Sequence, residues 1–105
     1  MYAIGLIEVN GFIAAVETLD AMLKTANVEF VTWEKKLGGR LVTIIIKGEV
    51  SAVQEAISNG KNKADKITRT VAHAVIPNPH SEIMRMINIS AEKLLNAYGG
   101  EINEF

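Results

Sequence analysis

The chain has 105 residues, a formal net charge of −1, 49% apolar residues and no cysteine. One domain fills that length, and without cysteine a disulfide framework, a thiolate metal site and a cysteine nucleophile are all excluded. Balanced charge gives no global field to draw nucleic acid or an anionic membrane, and no apolar run approaches the roughly 20 residues that span a bilayer.

The start, YAIGLIEVNG, lacks the basic opening and long apolar core of a signal peptide, so a cytoplasmic protein is expected. Tyr2–Val9 reads as a buried strand closed by the Asn10-Gly11 turn. From Phe12 the period becomes helical, with Phe12, Val16, Leu19 and Leu23 as the apolar stripe, widened by Ala15, Met22 and Ala26, and the helix is expected to end near Asn27. Val28–Glu34 returns to strand character, and Phe30 and Trp33 are read as packing residues. Lys35–Arg40, KKLGGR, follows as a tight two-glycine turn with cations on both sides, and Leu41–Lys47 completes a hairpin.

After Gly48 a second helix is expected to about Lys66, capped by Ser51 with Gln54 and apolar at Val50, Val53 and Ile57. Thr70–Ile76 is the fourth strand, ended by Pro77-Asn78-Pro79. Two short helices are expected beyond it, one over His80–Ile87 and one capped by Ser90, running through Leu94, Leu95 and Tyr98 to Gly99-Gly100. The order βαββαβ plus a helical extension is the ferredoxin-like α/β (α+β) arrangement: an antiparallel sheet with two helices on one face. Residues 1–80 are read as the core domain and 81–105 as an extension packed on it. The sheet's second face must be solvated, bind a ligand or meet another subunit.

No catalytic constellation emerges. His73 and His80 have neither ligand spacing nor an adjacent carboxylate pair, and the acidic residues are scattered singly. Gly-Gly-Arg joins strand to strand, so it offers no helix N-terminus to a phosphate. Leu41–Lys47 has no aromatic residue, against an RNA-binding sheet. Lys61, Lys63, Lys66 and Arg69 read as a solvated basic helix face. No cofactor or metal is expected, and a ferredoxin-like regulator of small ligands is the rival class.

Four strings in order, AIGLIEVNGF, TLDAMLKTANVEF, KKLGGRLVTIIIKGEVSAV and VAHAVIPNPH, resemble the single-domain, hexamer-forming shell proteins of bacterial microcompartments (BMC domain). The resemblance runs from Ala3 to about His80. It implies a structural protein in the shell of a cytoplasmic microcompartment, forming cyclic homohexamers that tile into facets. Its partners would be itself, other shell proteins, encapsulated enzymes, and small metabolites passing an axial pore, with no nucleic acid or membrane. The pore loop maps onto Leu37, Gly38, Gly39 and Arg40; the lateral edge maps onto Lys24, Asn27, Asn78 and His80. Asn78 stands where an arginine is common in the family, and Arg40 where many relatives have glycine. Six copies of Arg40 around one axis are tolerable, since unit charges ~10 Å apart in water repel by only about 0.4 kcal/mol.

Overall fold

The computed structural model describes residues 2–97. Its elements are β1 (Tyr2–Asn10), α1 (Phe12–Thr25), β2 (Glu29–Lys36), a 3-10 turn (Leu37–Gly39), β3 (Leu41–Glu49), α2 (Val50–Ile67), β4 (Thr70–Pro77) and α3 (Ser81–Ala97). The strand order is β2-β3-β1-β4 and every pairing is antiparallel. This is the ferredoxin-like topology that the order of periods predicts.

The inward face of β1 and β3 supplies Ala3, Ile7, Val9, Val42, Ile44 and Ile46, all buried against α1 and α2. Burying each of the larger side chains stabilises the fold by about 1.5–3 kcal/mol. Gly5 lets α2 approach closely: a Cβ there would lie 2.8 Å from both Ile57 Cγ1 and Val53 Cγ1. Gly60 does the same between helices, where a Cβ would lie 2.8 Å from Met22 Cγ. It therefore sits inside α2 without ending it.

That close contact turns α1. Its buried residues are Ala14, Ala15, Thr18 and Met22; Ala15 and Met22 belong to the expected stripe, but the centre of the buried face lies roughly a quarter-turn from the stripe's centre at 3.6 residues per turn. Phe12, Val16 and Leu23 are exposed instead. The small Ala14, Ala15 and Thr18 side chains let the helices approach, and Met22 reaches into the space that Gly60 leaves open.

In β2 the register shifts between Phe30 and Thr32, leaving Val31 as an extra residue. The bulge brings Phe30 and Trp33 to the same face, where their ring centroids are 5.3 Å apart. Thr32 consequently turns to the opposite face and is fully buried there.

Two expected caps are absent. The N-cap of α2 is Glu49 without a side-chain cap bond, so Ser51 lies inside the helix and makes no box with Gln54. Residues 81–97 form one helix, not two. Ser90, expected as a cap, lies mid-helix with its hydroxyl 3.2 Å from Thr32 Oγ1 and bonded to the Glu34 carboxylate. Those partners on β2 replace the backbone N–H that a capping serine takes. Helix α3 lies on the sheet's second face, packing Ile87 against Ile4 and Ile45, with Leu6, Val31 and Met84 alongside. Tyr98, Gly99 and Gly100, expected at the helix stop, lie outside the described residues.

Candidate functional site

Two groups of residues occupy opposite ends of β1, which spans nine residues and so about 27 Å at ~3.4 Å per residue. At one end Asn10 pairs with Leu41, and the glycine loop lies just beyond. At the other end Tyr2 pairs with Glu49, and the expected edge residues gather around it.

The loop backbone is left-handed at three successive residues: Leu37 (φ 55°), Gly38 (φ 67°) and Gly39 (φ 92°). Glycine suits the last two. Leu37 is the exception, a strained non-glycine residue whose side chain is 68% exposed. The turn is closed by Arg40 N–H donating to Leu37 O (3.3 Å) and tied to the start of α1 by Gly11 N–H donating to Arg40 O (2.8 Å). Beneath it lies a recess of about 460 Å³ lined by Phe12, Lys35, Gly38 and Gly39. Lys35 Nζ stands 5.1 Å from the Phe12 ring centroid, and Phe12 meets Trp33 edge-on at 5.2 Å. The loop therefore rests on a cation–π and aromatic stack. Leu37, Gly38, Gly39 and Arg40 form one continuous projection, and Arg40 is exposed.

At the far end, Lys24 near the close of α1 pairs with Asp20 at 2.9 Å. Asn27 lines a recess of about 330 Å³ with Tyr2, Glu29, Lys47, Gly48, Glu49 and Ala52. Asn78 adopts φ 47° and donates its N–H to Tyr2 O at 2.7 Å. Asparagine tolerates that left-handed backbone better than most side chains. His80 caps α3: its Nδ1 accepts the Glu82 N–H at 3.0 Å, and its carbonyl accepts from Ile83 and Met84. Asn27 shares a recess with Tyr2 and Asn78 bonds the Tyr2 carbonyl, with Lys24 three residues before Asn27 and His80 two residues after Asn78.

The larger apolar surfaces escaped the periodicity. On α1, Ile13 is 77% exposed, beside Phe12 and Val16. On the sheet's opposite edge β4 is unpaired on its outer side, and Val71 and Ile76 are exposed. Next to β4 the second face keeps an apolar hollow of about 290 Å³ where α3 does not reach, lined by Leu6, Ala72, Ala74 and Ile76 with Glu8 and Thr43. The visible signal in sequence was surplus: α1 has more large apolar residues than one stripe can use.

His73 lies on exposed β4 opposite Ile7. Among the described residues, His, Cys, Asp and Glu form no group of three or more able to hold a metal ion.

The family model described as BMC domain matches residues 3–79. The chain belongs to the BMC domain family. It is 41% identical over 85 residues to the bacterial microcompartment shell protein PduA of Citrobacter freundii, covering 81% of this chain and 90% of that one. It is 39% identical over 90 residues to the bacterial microcompartment shell protein EutM of Salmonella typhimurium, covering 86% and 93%. Among solved structures it resembles a microcompartment protein from Desulfitobacterium hafniense DCB, with a TM-score of 0.74 and 32% identity. That match covers 86% of this chain and 48% of the other, so the chain spans about half the length of that structure. Both curated relatives are named as shell proteins, not as enzymes.

Proposed function

We propose that this chain is a structural shell protein of a bacterial microcompartment that assembles into cyclic homohexamers and tiles edge to edge into facets. Leu37, Gly38, Gly39 and Arg40 line an axial opening for small metabolites. Lys24, Asn27, Asn78 and His80 make the lateral edge. Other shell proteins and encapsulated enzymes are the remaining partners, and the shell lies in the cytoplasm. Residues 1–80 are the assembling domain, and helix α3 (Ser81–Ala97) braces its second face.

The observation that carries this reading is the polarity of β1, with the glycine loop at one end and the edge residues at the other. A subunit of a tiled ring needs that division, one end for the axis and one for the neighbouring ring. Exposed large apolar side chains on α1 and β4, Ile13 at 77% and Val71 at 52% exposure, support self-association.

Native mass by light scattering, with negative-stain imaging of concentrated protein, tests it. Sixfold rings that spread into flat sheets are expected, and Ile13→Asp should block ring closure while the subunit stays folded. A parent protein that remains monomeric, dimeric or trimeric at every concentration and salt level refutes the reading. Six Arg40 side chains would make the mouth attractive to small anions; Arg40→Glu shells passing anionic and neutral solutes in the parental ratio would exclude that role.

A further inference from the structure

The glycine-loop end of the sheet concentrates exposed cations at its strand ends. Lys36 ends β2, Arg40 directly precedes β3, and Arg69 directly precedes β4. Between the two arginines lies the end of β1, because Asn10 pairs with Leu41 and Val9 pairs with Thr70. The arginine backbones are therefore about two strand spacings apart, roughly 10 Å. Among the described residues neither arginine has an ion-pair partner.

Beside Arg69 the surface is indented. A shift in the β1–β4 register between Glu8 and Val9 leaves Val71 as an extra residue, and Asn10, Arg69, Thr70 and Val71 line a recess of about 280 Å³. The Asn10 side chain makes no hydrogen bond among the described residues. The carboxylate next to this corner is already engaged. Asp65 holds Lys61 at 2.8 Å and accepts the Thr70 N–H at 2.9 Å, contacts that keep its carboxyl well below the usual range, the Lys61 bond foremost. Its charge is matched locally, so it does not neutralise Arg69.

We propose that the Asn10–Arg69–Thr70 recess binds a small oxyanion, a phosphate or carboxylate group, with Arg69 as the principal ligand and Arg40 adding charge from across β1. A guanidinium presents a planar fork of N–H donors that fits two oxygens of either group. The Asn10 amide supplies a further donor. The site belongs to the single subunit and needs no ring.

The test is calorimetric titration of the full chain with inorganic phosphate, and separately with acetate, at low ionic strength. Saturable binding at one site per chain is expected. Arg69→Gln should weaken it about tenfold, the loss of one bidentate charge contact. Arg69→Lys, which keeps the charge but removes the fork, should recover only part. Lys63→Gln, an equal charge change elsewhere on α2, should leave it unchanged. Absence of saturable binding in the parent overturns the proposal, as does equal weakening by Lys63→Gln and Arg69→Gln. Native mass measured on the same samples reports separately on the ring, so failure of one reading is not mistaken for failure of the other.

Discussion

Placing a methyl group on Gly5 tests the closeness of α2 to the sheet. The added Cβ would lie 2.8 Å from Ile57 Cγ1, 2.8 Å from Val53 Cγ1 and 2.9 Å from Ile57 Cδ1. Both neighbours are β-branched residues inside a helix, where one χ1 rotamer dominates, so they cannot turn aside freely. Both are also buried, at 0% and 3% exposure, leaving little room for α2 to shift. Overpacking of this kind costs about 1–3 kcal/mol. Removing a strand glycine returns about 0.5–1 kcal/mol of backbone entropy. The net expectation for Gly5→Ala is a loss of about 0–2.5 kcal/mol from these two terms. Urea unfolding at fixed protein concentration and confirmed native mass measures it. In a double-mutant cycle, Val53→Ala removes one offending methyl, so Gly5→Ala should cost about 0.5 kcal/mol less in that background. A stabilising Gly5→Ala, or strict additivity in the cycle, would refute the close approach.

Three other perturbations test separate parts of the molecule. Gly38→Ala forces a side chain into φ 67° but meets nothing within 4 Å, so the subunit should lose only about 1–2 kcal/mol of stability; a far larger loss confined to assembled rings, read from their dissociation midpoint, would report crowding at an axis. Ser90→Ala strips the buried Thr32 hydroxyl of its helix partner and should destabilise α3 by about 1 kcal/mol, seen as faster amide exchange over residues 84–94, and unchanged exchange would discard that pin. Asp65 has a depressed carboxyl pKa, so its contribution to stability is complete above the unfolded value and is lost as pH falls through the folded one. Asp65→Asn should therefore flatten the acid limb of the stability profile below about pH 4 while changing its shape little near neutrality, and an unaltered acid limb would contradict the assignment.

The topology was legible because each change of period carries its own physical signal. Apolar runs bounded by Asn10-Gly11 and by Pro77 give strands, and the two long amphipathic segments give helices. Details set by contacts across the chain were not legible. The quarter-turn of α1 depends on Met22 and Thr18 meeting Gly60, far away in sequence. The side chosen by Trp33 depends on one extra residue, Val31, in a register that only pairing with β3 defines. Ser90 has the chemistry of a cap, and its use by Glu34 and Thr32 is a tertiary fact. Within the site, KKLGGR announces the loop because two glycines beside three cations are conspicuous. The recess at Arg69 does not announce itself, since Asn10 and Arg69 meet only when β4 joins β1.

The distribution of exposed apolar surface also bears on the symmetry of assembly. Helix α1 touches β1, β3 and β2, whereas α2 lies mainly over β1 and β4 and also reaches β3. The exposed Ile13 and Val16, next to Phe12, thus belong to the β2–β3 side, and among the described residues the outer edge of β4 bounds the opposite side. Two like surfaces meeting across a twofold axis would bury one row per dimer and leave the other strip wet on both subunits. Head-to-tail contact joins the α1 side of one copy to the β4 side of the next and covers both at every junction. Such a heterologous contact closes into a ring when its rotation divides a full turn and runs on as a filament when it does not. The same contact covers the outer edge of β4, whose unpaired N–H and C=O groups would otherwise invite irregular strand pairing. Burial and protection of the edge therefore favour the same head-to-tail geometry, and this is the geometry a cyclic shell subunit requires.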